Sequence, residues 1–316
     1  RVIELLEPIY RRENWWQKLV VILDAKRAFL FDDELKIRTL HEIADLHYRR
    51  GGDHQMARAA LADAWRIDVG STSSFAKLLD AARIDDAWPE VLAVVKAGIP
   101  SSDDPLVRSE LWQQLANVQD RELQDVPGSA ESWRKSIAEQ PDHPVALSAL
   151  DRLLALQQKY DELVPVVLRR AELSEDVGVR AVLLHRAGAY CEENLRQPQR
   201  AIAAYREAVA VDPTDSTALD ALQRLYVATE QWRDVVETVE RKLELDADVD
   251  ARQQLHALAA TTYEGKLGDV HRGIAHWQAL LDVDPRHAQA LAELDRCYGN
   301  QKMWPELVEI VDQRAL

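Results

Sequence analysis

An aromatic residue recurs every 72 positions along this chain, at Trp16, Trp88, Tyr160, Trp232 and Trp304, with no insertion or deletion between them. A period held this strictly is the mark of a repeat array, in which one supersecondary unit is copied and stacked. Each aromatic heads an apolar stripe, as in Trp232, Val235, Val236 and Val239, or Trp304, Leu307, Val308 and Val311. That spacing places the stripe on one face of a helix. A second column keeps the same register: Ile3, Phe75, Leu147, Leu219 and Leu291, each followed three residues on by Leu6, Leu78, Leu150, Leu222 and Leu294. Tyr10, Tyr226 and Tyr298 extend that seam by another helical turn. The seven or so residues before each aromatic are expected to turn the chain into the next helix.

The other half of the period has its own columns. Small residues stand at Ala44, Ala116, Gly188 and Ala260, and again at Ala57, Ser129, Ala201 and Gly273, where a neighbouring helix approaches too closely for a large side chain. Four residues after the latter come Leu61, Trp133, Tyr205 and Trp277, and Pro141, Pro213 and Pro285 close the unit. Proline cannot continue a helix interior, so these positions punctuate the chain. With 11 glycines, 12 prolines and 47% hydrophobic residues among 316, helix is favoured almost throughout and an all-α fold follows.

Ala201-x3-Tyr205-x2-Ala208-x4-Pro213 resembles the second-helix half of the tetratricopeptide repeat, and Trp112-x2-Leu115-Ala116 resembles its first-helix half. The family's first-helix aromatic is met by Tyr263, whereas His47, Gln119 and Cys191 stand there in the other units, and the loop that follows is about one residue longer than the family's. The hairpins of the Trp16 column depart further and keep only the helix-period seam. The resemblance implies an α-solenoid of about nine stacked hairpins, five of the tryptophan type alternating with four of the proline type. It also implies a right-handed superhelix with a concave inner face. Residues 1–316 are accordingly expected to form one continuous array. The chain opens on Arg1 and stops inside a helical pattern, as a piece of a longer array would.

Charge and composition exclude several functions. The net charge of −15 has its acids interspersed with bases, so no cationic face is available for a phosphate backbone and no nucleic-acid partner is expected. No apolar run is longer than Leu19 to Leu23, which is too short to span a bilayer. Cys191 and Cys297 provide neither a disulfide framework nor metal-ligand spacing. His41-Glu42 begins like a zinc-protease motif, but His47 lies six residues on rather than the required four, and His271 and His276 have no third ligand at a useful spacing. Gly51-Gly52 lacks the Gly-Lys-Ser/Thr of a phosphate loop, and no nucleophile elbow is present. No catalytic residue, metal or cofactor is therefore expected. Trp16, Trp88, Trp112, Trp133, Trp232, Trp277 and Trp304 fall on apolar columns and are expected in the core, whereas Trp15 and Trp65 stand off them and are candidates for partial exposure at an edge.

One polar column suggests binding. Arg152, Arg224 and Arg296 recur every 72 residues, and by analogy with the family they would face the groove, where guanidinium groups can grip carboxylates of a partner protein or peptide. Asp120, Glu192 and Glu264 form a matching acidic column that could instead absorb those charges internally. A scaffold for a partner segment is the first functional expectation. A spacer or assembly module that self-associates through its terminal hairpins is the second.

Overall fold

The computed structural model describes residues 2–245 and 248–315, and among them the chain forms eighteen α-helices and no strand. It divides into two compact units, residues 1–153 and 154–316, with the division falling inside α9. The first unit contains α1 (Val2–Arg12) and α2 (Trp16–Arg27), α3 (Asp33–Leu46) and α4 (His54–Ile67), α5 (Thr72–Asp85) and α6 (Trp88–Gly98), α7 (Pro105–Arg121) and α8 (Val126–Glu139), then α9 (Pro144–Leu156). The second contains α10 (Tyr160–Leu173), α11 (Val177–Ala189) and α12 (Pro198–Val211), α13 (Ser216–Ala228) and α14 (Trp232–Glu244), α15 (Val249–Thr262) and α16 (Val270–Val283), α17 (Ala288–Gln301) and α18 (Trp304–Ala315). Within each unit most helices adjacent in the chain pack against each other, most extensively α3 with α4, α7 with α8, α11 with α12 and α15 with α16, and each unit is a stack of hairpins with the all-α solenoid arrangement expected from the repeat.

The turns explain why the period tolerates no insertion. Asn14, Asp86, Gln158, Glu230 and Lys302 all have φ between 53° and 59°, and they too are 72 residues apart, two positions before the aromatic column. A left-handed residue at a helix end lets the following N–H fold back onto the last turn. Trp15, Ala87, Lys159, Gln231 and Met303 accordingly donate to the carbonyls of Tyr10, Ala82, Leu154, Tyr226 and Tyr298 at 2.9–3.0 Å. The turn is therefore only two or three residues long, not seven, because the helix continues until this cap closes it.

The proline-type hairpins turn at Gly52, Gln124, Arg196 and Gly268, again all left-handed. Here Asp53, Asp125, Gln197 and Asp269 donate to carbonyls six residues back, on His47, Gln119, Cys191 and Tyr263, at 2.8–3.1 Å. The extra loop residue noted in the sequence is absorbed by widening the helix end into a π turn at His47–Gly51, Tyr190–Asn194 and Tyr263–Leu267. Seven of the nine left-handed positions carry a side chain. Such a conformation costs an L-residue about 1–2 kcal/mol, partly offset in a glycine variant by its looser unfolded state. Glu230→Gly is expected to stabilise unit 2 by roughly 0.5–1 kcal/mol, read as a higher urea midpoint at unchanged slope.

Packing follows the columns, with four corrections: Trp16 and Trp232, expected in the core, are only half-buried, each at the start of its helix. Trp65 is fully buried rather than at an edge, and Trp304 is 59% exposed rather than in the core. Trp65 stands in register with Ile137, Val209 and Leu281, an apolar column of the second helix, and its bulk is accommodated by Gly98 where the other units carry Lys26, Arg170 and Lys242. A Cβ on Gly98 would lie 2.4 Å from the Trp65 indole nitrogen. Trp304 begins α18, where Val308 and Val311 are also exposed, although their counterparts Val164, Val236, Val167 and Val239 are buried. Trp15 is half exposed, with Lys18 4.2 Å above its ring.

Candidate recognition surface

Each arginine of the 72-residue column is held by the acidic residue 32 positions earlier. Arg152 on α9 pairs with Asp120 on α7, and Arg296 on α17 pairs with Glu264 in the π turn after α15. Arg224 on α13 binds Glu192, in the π turn after α11, through Nε at 3.1 Å and Nη2 at 2.8 and 2.9 Å. The spacing arises because the first helix of a tryptophan-type hairpin packs beside the first helix of the preceding proline-type hairpin. The first period lacks this rung, since Asp80 and Tyr48 occupy the two columns, and Arg83 there binds Asp80 and Glu122 instead.

The rungs are asymmetric. The arginine side chains are 50–62% exposed whereas their carboxylates are only 17–21% exposed. The acid is set into the helical layer, and the guanidinium lies over it with donors to spare. Arg152 uses only Nη2, and Arg296 shares its remaining engagement with Glu293 at 2.8 Å. Glu264, then Glu293, hold the Arg296 guanidinium firmly in its charged form. Burial, then the Glu264 charge, push the neighbouring Cys297 thiol up to about 11, so it stays protonated and donates to Glu264 Oε2 at 3.5 Å. Burial, followed by the nearby Glu192, likewise pushes the Tyr205 phenol up to about 12.

Around Arg152 the surface is concave. Asn117, Asp120, Trp133, Ser148 and Arg152 contribute to a cleft of about 520 Å³ confined to the first unit. Trp133 and Asn117 were not singled out with the arginines from the sequence, because a buried tryptophan column and a solitary amide carry no periodic polar signal.

The histidines considered as ligands lie apart. His41 Nε2 is 3.1 Å from Ser74 Oγ, and His47 packs edge-on against Trp16. His276 meets His256 on α15 rather than His271. Among the described residues no group of three or more His, Cys, Asp or Glu is arranged to hold a metal ion, and no helix is long and apolar enough to cross a membrane.

The helix order, the paired turns and the columns of small and large residues define an array of helical hairpins with tetratricopeptide-like architecture. No family model matches the chain, and no curated protein matches it in sequence. Solved structures with related architecture include YrrB, described as a TPR protein with an unusual peptide-binding site, at 15% identity and a TM-score of 0.33 over 63% of this chain and 95% of that one. They also include MamA from Desulfovibrio magneticus RS-1, at 16% identity and a TM-score of 0.31 over 57% of this chain and 97% of that one. The C-terminal part of a TPR repeat-containing protein from Cytophaga hutchinsonii matches at 10% identity and a TM-score of 0.33, over 92% of this chain and 98% of that one.

Proposed function

We propose that this chain is a non-catalytic protein-interaction scaffold that takes up acidic segments of a partner protein or peptide at the Arg152 rung of the first unit and at the Arg224 and Arg296 rungs of the second. The reading rests on the asymmetry of those rungs: each guanidinium is half exposed and keeps unused donors above a carboxylate sunk in the helical layer. A planar fork of N–H donors can hold one carboxylate and accept a second along its free edge. The cleft beside Arg152 adds two uncharged polar groups, Asn117 and Ser148, to such a contact. Nucleic acid fits this surface poorly, because the chain carries a net charge of −15 and three isolated arginines do not make the continuous cationic face that a phosphate backbone requires.

The test uses an array of short acidic, neutral and basic peptides, probed with the parent and with an Arg152→Ala, Arg224→Ala, Arg296→Ala variant of equal helicity. Exposed guanidinium–carboxylate contacts contribute about 0.5–1 kcal/mol each, so the parent is expected to select acidic peptides and the variant to bind them roughly 10–100-fold more weakly. Equal binding by both proteins would leave the rungs a structural role only.

A second reading, a spacer or assembly module, is supported by the apolar stripes left open on the terminal helices, Val2, Leu5 and Ile9 on α1 and Trp304, Val308 and Val311 on α18. It calls for concentration-dependent association in sedimentation that Leu5→Glu or Val308→Glu abolishes, and no preference on the peptide array.

A further inference from the structure

The fourth proline-type hairpin departs from the others at two positions that face each other. His256 occupies a column filled by Leu40, Trp112 and Leu184, all buried, and His276 occupies one filled by Ala60, Ser132 and Ala204. Neither histidine is needed for the architecture, since three other copies of the hairpin close without them. Their Nδ1 atoms stand 3.1 Å apart, bridging α15 and α16, with ring centroids 5.4 Å apart. At that separation one Nδ1–H donates and the other Nδ1 accepts.

The surroundings connect this pair to α14 and to the π turn. The Tyr263 ring is stacked on His276, and its hydroxyl donates to Glu240 Oε1 at 2.5 Å while accepting from Arg272 Nη1 at 3.0 Å. Glu240 Oε1 also lies 3.8 Å from His276 Nε2. Arg252 on α15 and Asp282 on α16 are the remaining charges that bear on His256. A first added proton can be accommodated on His276, which then donates from Nδ1 to neutral His256 and presents Nε2–H to Glu240. A second proton cannot, because it sets two N–H groups against each other across 3.1 Å with Arg252 and Arg272 nearby.

We propose that His256 and His276 form a proton-operated joint in the α15–α16 hairpin, closed by a hydrogen bond while the pair holds at most one added proton and opened by the second. Burial is the first cause holding both imidazoles below the ordinary histidine value; the mutual interaction adds to it at His256, while Glu240 partly offsets it at His276. The sign follows from this depression. Near and below the ordinary histidine value of about 6.5 the opened hairpin binds protons that the closed one refuses, so closure is complete above that pH and weakens as pH falls through it. Each extra proton taken up on opening changes the equilibrium about tenfold per pH unit.

Two measurements test the joint. Imidazole resonances of the parent, titrated by NMR, should show His256 and His276 titrating in two separated steps, both below the ordinary range. Independent titration of the two rings near the ordinary value would overturn the proposal without reference to any variant. Amide hydrogen exchange in α15 and α16 should accelerate on the order of 10–100-fold between pH 7 and pH 5, after correction for intrinsic rates. A His256→Leu, His276→Ala variant, which restores the residues of the α11–α12 hairpin, should lose that acceleration. If α15 and α16 exchange equally in parent and variant at pH 5, the histidines do not operate the hairpin.

Discussion

Trp65→Val is expected to lower the stability of unit 1 by about 3 kcal/mol, and the loss should be smaller when Gly98→Lys accompanies it. Removing a fully buried indole from a packed core costs on the order of 3–5 kcal/mol, of which the retained Val atoms recover part. The indole nitrogen has no acceptor among the described residues, so the variant also relieves a buried donor worth about 1–3 kcal/mol, which keeps the net loss toward the lower figure. Gly98→Lys alone should cost more than about 1–3 kcal/mol, since even its Cβ would overlap the ring. The double variant recreates the Val209 and Lys242 combination of the third period, so the lysine stem can fill the vacated space. Urea unfolding of the four proteins closes a double-mutant cycle, and a favourable coupling of about 1 kcal/mol or more is expected. Additive losses would mean that the size exchange between the two columns has no energetic content.

Gly188→Ala tests the close approach in the second unit and connects it to the recognition surface. The added Cβ would meet the Tyr205 ring at 2.7–3.0 Å, and a buried ring cannot retreat as a flexible exposed side chain would. Overpacking of this kind costs about 1–3 kcal/mol. Alanine occupies this column beside Leu61, Trp133 and Trp277 in the other periods, so the clash belongs to the placement of the Tyr205 ring, and Gly188→Ala combined with Tyr205→Leu, the pair of the first period, should recover much of the loss. The Tyr205 hydroxyl lies 3.5 Å from Glu192 Oε2, the carboxylate that holds Arg224. Displacing the ring is therefore expected to lower the Tyr205 phenol from about 12 toward its ordinary value, visible as an earlier onset of tyrosinate absorbance in an alkaline titration. An unchanged onset with unchanged stability would show that the helices part to admit the methyl group.

The candidate site was half legible in the chain itself. Arg152, Arg224 and Arg296 and the acids Asp120, Glu192 and Glu264 could be read as two columns, because side chains that recur at a strict period must occupy equivalent places in a stack. Their pairing across 32 residues, and the fact that the acid is sunk while the base is exposed, depend on how neighbouring hairpins are packed. His256 and His276 were open to the same reading as departures from an apolar and a small column, but nothing short of the fold places their Nδ1 atoms in contact. Trp65 was misread because its column is mixed in size, and a column of Trp, Ile, Val and Leu announces itself only once Gly98 is seen to make the room.

Local pattern alone determined that this protein is helical, that its helices come in two alternating hairpin types, and that a turn precedes each member of the aromatic column. These properties follow from period, propensity and punctuation, which act over a helical turn or two. Tertiary structure alone decided the left-handed caps at Glu230 and its equivalents, the π turns that absorb the extra loop residue, the burial of Trp65 and the exposure of Trp304. Each of these is settled by whether a neighbouring helix is present to be closed upon, and that is a property of packed surfaces rather than of any segment.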